Sequence, residues 1–358
     1  MKNLLCLLAC GLLAGCTSLP YSPPRLLEPD ARFPGLVDFA AEVAGGPADV
    51  LLVHGMCTHD VGWVDQTMAQ LGAALGAIAS PAPSADGTGV EIVTRSIRLP
   101  DGELRIHALL WSGLTAPFKR QLDYDHTARL GATRARINGE LKDTLMDDCL
   151  PDALAYQGVA GAAIRLRMRE AILQATSQAR PGAPLVVLAE SLGSKILFDT
   201  LLQMSEEGGP GAVAAQRTIE RMAYLVMAAN QLPLLAIADQ QLPGAGAPGM
   251  AAHGAAGTMD SLQAVLRKRR PDATPSPRAP AARLVLVAFS DPNDLLTYTL
   301  QRERYAGPGV EVYNVLVSNA PTWFGLLEHP GKAHRDYLLN PAVARLVACG
   351  TPRSSRCE

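Results

Sequence analysis

A serine lies where a buried strand would pass into a helix. Residues 185–188 form a short apolar run, and the residues from Ser194 onward have the spacing of a helix with an apolar inner face. The turn between them reads Ala189-Glu190-Ser191-Leu192-Gly193, and its small first and last residues let the strand and the helix approach closely. Such a turn lifts a serine Oγ clear of the sheet, beside a helix N-terminus that favours negative charge. The pattern predicts a nucleophile at Ser191, although an ordinary strand-to-helix turn can have the same spacing.

A serine nucleophile needs a base to accept its proton and a carboxylate to orient that base. Candidates for both follow later apolar strands: Asp291 and Asp294 after residues 283–289, and His329 and His334 after residues 310–317. We favour Asp294, because Asp291 precedes a proline and is typical of a residue that caps a turn. We favour His334, because Gly331 permits a loop before it, whereas His329 lies beside a proline. Ser191, Asp294 and His334 are therefore the predicted catalytic residues.

A second apolar strand, residues 48–53, leads directly into His54-Gly55. In acyl-transfer enzymes a backbone N–H after such a glycine can stabilise the oxyanion of the tetrahedral intermediate. The alternative interpretation is a glycine-bearing turn after a core strand. We expect His54 to shape this loop rather than to act as a base.

Together these motifs resemble those of the α/β-hydrolase family of serine esterases and lipases, over residues 48 to about 347. The resemblance implies a mostly parallel central sheet flanked by helices, and attack by Ser191 on an ester or related acyl carbonyl. His334 would act as general base and then as general acid, and Asp294 would orient it. The N–H groups of Met56 and Leu192 would form the oxyanion hole, and no cofactor is implied. The chain departs from the family pattern in having Ala189 where a glycine is usual.

Further elements surround these motifs. Residues 90–98 and 103–111 alternate in polarity around an Asp-Gly turn, which predicts a hairpin at an antiparallel edge of the sheet. The polar, helix-like residues 115–160 could cover the active site or could be surface helices. Residues 240–282 are rich in Pro, Ala and Gly and predict a mobile insertion. The expected α/β-hydrolase domain spans residues 35–350, and a C-terminal tail of residues 351–358 follows it.

The first residues have the features of a secretory signal, with an early lysine and a short apolar run. Leu13-Ala14-Gly15-Cys16 resembles a bacterial lipobox, which implies removal of residues 1–15 and lipidation of Cys16. An ordinary signal peptide with a chance cysteine is the alternative. Since Thr17 rather than Asp follows Cys16, the resemblance favours an outer-membrane location in a bacterial cell envelope. Residues 16–34 then form a tether.

Composition and cysteine count bear on the binding partners and on the disulfides of the protein. The formal net charge of −2 at pH 7 gives no support for a nucleic-acid partner. We therefore expect a small-molecule or lipid ester as substrate, and a membrane reached through Cys16. The other cysteines outside the signal predict disulfides. Cys349 and Cys357 could close a short loop and leave Cys57 for Cys149, but sequence leaves three connectivities open. No cysteine or histidine spacing indicates a metal.

Two other functions remain open at this stage. The same catalytic residues could hydrolyse an amide, peptide or thioester bond. Alternatively, the chain could be a non-catalytic lipoprotein that uses the fold to bind a lipid or a partner.

Overall fold

A nine-stranded sheet forms the centre of the protein in this computed structural model. The structure describes residues 18–19, 22–43, 46–83, 89–126, 131–177, 179–180, 182–240, 259–269, 283–323 and 326–357. The sheet contains β2 (Arg25–Leu26), β3 (Ala48–Val53), β4 (Ala79–Pro81), β5 (Glu91–Leu99), β6 (Gly102–Leu110), β7 (Leu185–Glu190), β8 (Met222–Ala228), β9 (Leu284–Ser290) and β10 (Val310–Leu316). Two further short strands, β1 (Ser18–Leu19) and β11 (Thr322–Trp323), pair with each other.

The strand order across the sheet is β2-β10-β9-β8-β7-β3-β6-β5-β4. The six strands from β10 to β6 are parallel, and β2, at one edge, runs antiparallel to β10. β5 and β6 form the predicted hairpin on the other side of the sheet, where β4 covers the outer edge of β5. The expectation of a mostly parallel sheet in an α/β protein is therefore confirmed.

The carboxyl ends of the central strands are aligned. Val53 at the end of β3 lies opposite Ala189 of β7, and Glu190 lies opposite Ala228 at the end of β8. Ala228 in turn lies opposite Phe289 near the end of β9. Because these strands are parallel, the loops that follow them emerge at one edge of the sheet, where ligands bind in open α/β folds.

The apolar runs form central strands because both faces of the sheet are covered. Every residue of β3, β7, β8 and β9 is buried. Such continuous apolar strands are typical of parallel sheets between two helical layers. One apolar core lies on each face, and side chains alternate between them: Val187 and Ala189 belong to one core, and Val186 and Leu188 to the other.

The helices are distributed along the chain as follows: α1 (Leu36–Glu42), α2 (Val61–Leu75), α3 (Ser112–Lys119), α4 (Arg136–Leu141), α5 (Leu150–Gln157), α6 (Gly161–Thr176), α7 (Leu192–Glu207), α8 (Gly209–Arg221), α9 (Leu232–Leu235), α10 (Ser261–Lys268), α11 (Arg302–Tyr305), α12 (Pro330–Arg335) and α13 (Pro341–Cys349). Residues 142–149 continue α4 as a wider, π-helical segment into α5. Residues 115–160, which we call the cap segment, are therefore largely helical.

The two ends of the predicted domain need correction. The predicted tether, residues 16–34, packs in part against the domain, since Arg25 and Leu26 pair with β10 and Phe33 is buried. An open edge of a sheet exposes unpaired backbone groups, and this short strand satisfies some of them. The predicted tail is also held, because Thr351 pairs with Phe33 and the Ser354 hydroxyl donates to Asp38.

The described part of the predicted insertion, which spans residues 240–282, contains a helix that sequence analysis did not predict. α10 begins at Asp260, whose side chain accepts from the Gln263 N–H, while the Gln263 side chain accepts from the Asp260 N–H. This reciprocal capping starts the helix, and Leu262 and Val265 bury its apolar face. Residues 241–258 and 270–282 lie outside the described part of the chain.

Two disulfides join the four cysteines that are described. Cys57 is bonded to Cys149, and Cys349 is bonded to Cys357. This is one of the three connectivities that the sequence left open. The first bond joins the loop after β3 to the cap segment, and the second closes the C-terminal loop. Throughout the described ranges, no helix has the length and apolarity needed to cross a membrane.

Candidate active site

Ser191 lies at a strained turn between β7 and α7. Its φ of 50° and ψ of −128° lie outside the regions that non-glycine residues usually adopt. The Ser191 N–H donates to the Ala228 carbonyl at 2.8 Å, which fixes the turn to the end of β8. Leu192 is the first residue of α7, so its N–H has no intrahelical acceptor. The turn therefore holds the serine hydroxyl and a free helix terminus side by side.

Ser191, His334 and Asp294 form one chain of hydrogen bonds. Ser191 Oγ lies 3.1 Å from His334 Nε2, and His334 Nδ1 lies 3.0 and 2.9 Å from the two Asp294 carboxyl oxygens. An ionised carboxylate only accepts, so Nδ1 carries the imidazole proton and Nε2 is free to accept from the serine hydroxyl. All three residues are at least 95% buried. The structure thus brings together the three residues that the sequence favoured.

The surroundings of Asp294 keep it ionised. Burial alone would raise the pKa of its carboxyl, but hydrogen bonds and the nearby His334 lower it below its usual range. The Tyr337 hydroxyl donates to Asp294 Oδ2 at 3.1 Å, and the Leu296 N–H donates to Oδ1 at 3.0 Å. Tyr337 lies three residues beyond His334 and past Arg335, the last residue of α12, so no helical spacing indicated its role from the sequence.

The alternative acid and the alternative base have other partners. Asp291 accepts from the Asn293 N–H at 2.9 Å and from the Asn319 N–H at 2.6 Å, so it fixes the backbone of two loops. His329 caps α12 and lies 2.7 Å from the Glu140 carboxylate at the surface. Neither of them is bonded to Ser191 or His334.

His54 holds the loop that follows β3. The Trp111 N–H donates to His54 Nε2 at 2.9 Å, so the imidazole proton is on Nδ1, which donates to the Gly55 carbonyl at 2.7 Å. Burial holds the pKa of His54 well below its ordinary value. A neutral imidazole with both nitrogens bonded has no free position for a base, and His54 shapes the loop as expected.

The same loop contacts the turn that contains Ser191. A Cβ on Gly55 would lie 2.7 Å from Ser191 Cβ, and a Cβ on Gly193 would lie 2.2 Å from the His54 carbonyl oxygen. Both distances are too short for an unperturbed structure, so both positions require glycine. The Gly55 carbonyl is held by His54, and the N–H of a trans peptide points opposite to its carbonyl. The Met56 N–H is therefore directed away from His54.

Gln231 follows β8 and contacts both parts of the site. Its side-chain amide nitrogen lies 3.4 Å from His334 Nε2 and 3.3 Å from the Met56 sulfur. Gln231 is 1% exposed. The sequence did not predict its contact with His334.

Glu190 is a buried carboxyl beside the site that sequence analysis did not consider. Burial raises its pKa to about 8, and repulsion from Asp336 and Asp294 acts in the same direction, while the Gly55 N–H opposes it. A group with this pKa is mainly protonated at neutral pH. Glu190 therefore adds little negative charge next to Ser191 under those conditions.

An apolar groove lies within the cap segment. It encloses about 910 Å³, and its walls include Phe118, Leu122, Leu141, Met146, Leu150 and Leu154. Leu141 also lines a neighbouring cavity of about 300 Å³, together with Leu327 and His329 of the loop that leads to His334. Leu141 is the lining residue that the two cavities share, and none of Ser191, Asp294 and His334 lines either of them.

Two groups of possible metal ligands occur in the described ranges. One consists of Cys57, Asp148 and Cys149, whose sulfurs are already joined in a disulfide. The other consists of His126, Asp143 and Asp147 at the surface of the cap segment. Neither group lies in the hydrogen-bonded chain at Ser191.

Comparisons with known proteins return no similar protein. No protein-family model, no curated protein and no solved structure matches this chain. The geometry of the site therefore supplies the argument for function.

Proposed function

We propose that this chain is a serine hydrolase that cleaves ester bonds, with an α/β-hydrolase fold and a Ser191-His334-Asp294 catalytic triad. The observation that carries the proposal is the hydrogen-bonded chain from Ser191 Oγ through His334 to Asp294. The order Ser, acid, His along the chain, each after a parallel strand, supports the family assignment. The strained turn and the close contact of Gly55 with Ser191 support it further.

In the proposed reaction Ser191 Oγ attacks the ester carbonyl carbon, and its proton moves to His334 Nε2. The electron pair of the carbonyl double bond moves to the oxygen, where the N–H groups of Met56 and Leu192 would stabilise the negative charge. Collapse of the intermediate breaks the bond to the alcohol, which leaves with the proton from His334. Water then attacks the acyl-enzyme by the same steps and regenerates Ser191.

The cap segment supports an ester with an apolar portion as substrate. The groove is lined mainly by aliphatic side chains, and it shares Leu141 with the smaller cavity beside the loop that leads to His334. Apolar surfaces of this kind bind acyl or alkyl groups through the hydrophobic effect. We propose a carboxylesterase- or lipase-like activity on this basis.

The location of the enzyme is part of the proposal. The Leu13-Ala14-Gly15-Cys16 motif supports a lipid anchor in a bacterial envelope, and the residue after Cys16 supports the outer membrane. Cys16 lies outside the described residues, so this part rests on sequence alone. A stable anchor needs more than one acyl chain, which the lipobox modification would supply.

A non-catalytic binding lipoprotein is the alternative from a different class. That alternative predicts that His334 lies far from Ser191, whereas the observed Oγ–Nε2 distance of 3.1 Å favours catalysis.

The proposal can be tested with a p-nitrophenyl ester, a thioester and an anilide of the same acyl group. The rate of acyl-group release from each substrate is measured with wild type and with Ser191→Ala. We expect the p-nitrophenyl ester to be cleaved fastest and Ser191→Ala to be inactive. Cleavage of the anilide or thioester alone would reassign the bond, and no cleavage of any would favour a binding protein.

A further inference from the structure

The loop that supplies Met56 to the proposed oxyanion hole has an unusual conformation that needs support. Cys57, the residue after Met56, has a φ of 78°, in the left-handed region that non-glycine residues avoid. Such a conformation is strained and persists only where surrounding contacts determine it. The source of those contacts indicates what holds the oxyanion hole in shape.

Most of these contacts come from the cap segment. The Cys57 N–H donates to Asp152 Oδ2 at 2.7 Å, and Cys57 Sγ is bonded to Cys149. The Thr58 N–H and hydroxyl both donate to Asp148, at 3.1 and 2.6 Å for Oδ1. Asp148 and Asp152 are four residues apart in a continuous helical segment, so they lie on one side of it.

Lys119 completes this group of cap residues. Its ammonium nitrogen lies 3.0 Å from Asp152 Oδ2 and 3.1 Å from Asp148 Oδ1. The Asp152 side chain is completely buried, and a buried carboxylate without a partner would be strongly unfavourable. The lysine also offsets a negative charge that would otherwise oppose an oxyanion forming nearby.

Asp152 thereby fixes one of the two peptide planes next to the Met56 α-carbon. The hydrogen bond from the Cys57 N–H to Asp152 fixes the Met56–Cys57 plane, and His54 fixes the Gly55–Met56 plane through the Gly55 carbonyl. With both planes held, the direction of the Met56 N–H is set before substrate binds. Donors held in this way contribute most to oxyanion stabilisation.

We infer that Asp152 of the cap segment is a positioning residue for the oxyanion hole, acting through the Cys57 N–H. The inference rests on the proposed function, in which the Met56 N–H is an oxyanion donor. It gives the cap segment a part in the rate of the chemical step, in addition to any part in substrate choice. Asp152 itself touches neither Ser191 nor His334 in the described structure.

The test compares Asp152→Ala with Asp148→Ala, because both acids pair with Lys119 but only Asp152 holds the Cys57 N–H. On a soluble p-nitrophenyl ester we expect Asp152→Ala to lower kcat about 10- to 100-fold with little change in KM, because loss of one oxyanion donor costs about 100- to 1,000-fold. Asp148→Ala removes the hydrogen bonds to Thr58 but leaves the Cys57 N–H bonded, so it should lower kcat less than Asp152→Ala does. Asp152→Asn, which keeps an acceptor oxygen, should recover most of the rate.

A boronic acid that mimics the tetrahedral intermediate distinguishes a loss of oxyanion stabilisation from a general loss of order in the active site. Its affinity should fall in parallel with kcat/KM in Asp152→Ala, whereas the pH at which the rate reaches half its maximum should not move, because His334 and Asp294 are untouched. If Asp152→Ala does not fold, Asp152→Leu, which fills the same space without an acceptor, takes its place.

The outcomes separate this inference from the proposed function. A wild type that cleaves no ester would overturn the proposed function itself. An active wild type with Asp152→Ala and Asp148→Ala equally active would overturn the positioning role and leave the function intact. A raised KM with an unchanged kcat would also overturn it, since that result assigns Asp152 to substrate binding.

Discussion

At the scale of single residues, the sequence indicated which side chains lie close together, because each of them follows a local signal. Ser191, Asp294 and His334 each follow an apolar strand, and parallel strands bring such positions to one edge of a sheet. Asp152 had no such signal. It contacts Cys57 across 95 positions of sequence, and only the folded chain brings the two together.

The choice between the two acids can be tested directly. Asp294→Asn keeps the shape of the side chain but loses the charge that stabilises the imidazolium and selects the tautomer of His334. We expect kcat to fall by about 1,000- to 10,000-fold. Asp291→Asn is the matched control, and it should retain most of the activity but unfold at a lower temperature, because its carboxylate accepts two backbone N–H groups. The reverse result would make Asp291 the catalytic acid.

Glu190 predicts a pH-dependent stability. Its folded-state pKa of about 8 exceeds the usual value of 4.5, so the stability it gives is fully present below pH 4.5 and is lost as the pH rises through 8. In urea unfolding, the free energy of unfolding of Glu190→Gln should therefore rise relative to that of wild type by a few kcal/mol between about pH 5 and pH 8. The charged residues that face Glu190 are the same in both proteins: Asp336, Asp294 and Arg335. A difference independent of pH would contradict the assignment.

At the scale of elements, continuous apolar runs identified the central strands, because a parallel sheet between two helical layers is buried on both faces. The strands β2 and β11 were missed because two residues are too few to form a pattern. The helix α10 was missed because its eight residues lie in a segment rich in Pro, Ala and Gly. The cap segment was left open between a cover and surface helices, and its contacts with the loop after β3 depend on tertiary structure.

The groove in the cap segment predicts a dependence on chain length. Leu154 lines the groove and is 64% exposed, so Leu154→Asp should fold normally while placing a charge where an acyl chain would lie. We expect kcat/KM to fall about tenfold or more for long-chain p-nitrophenyl esters and to stay nearly constant for the acetate, because burying a charge beside an alkyl chain is unfavourable. Ile78→Asp, at an exposed apolar position outside the cap segment, is the control. Equal losses on both chain lengths would argue against an acyl site.

At the scale of the whole molecule, the near-neutral composition gave no electrostatic reason for nucleic-acid binding. The order of strands across the sheet could not be predicted, since pairings such as β3 with β7 join segments more than a hundred residues apart. The predicted tether, residues 16–34, includes Arg25 and Leu26, whose pairing with β10 depends on an edge that only the folded sheet presents. It was therefore wrong to regard this whole stretch as a tether.

The proposed anchor makes a prediction for the whole molecule in a bacterial host. Wild type should incorporate an alkyne-labelled palmitate and sediment with membranes, because several acyl chains give stable anchoring. Cys16→Ser should lose the label and leave the membrane fraction, whereas Cys10→Ser, which changes a cysteine outside the Leu-Ala-Gly-Cys motif, should behave as wild type. Labelling that persists in Cys16→Ser would place the modification elsewhere.

The central claim is that Ser191 is an activated nucleophile. Fluorophosphonates phosphonylate only serines whose hydroxyl is activated by a base, and the adduct is measured as a mass increase of the intact protein. We predict complete reaction of the folded wild type with one equivalent of probe, and no reaction of Ser191→Ala or His334→Ala. An unlabelled wild type with both disulfides intact, or a label that persists in Ser191→Ala, would contradict the account.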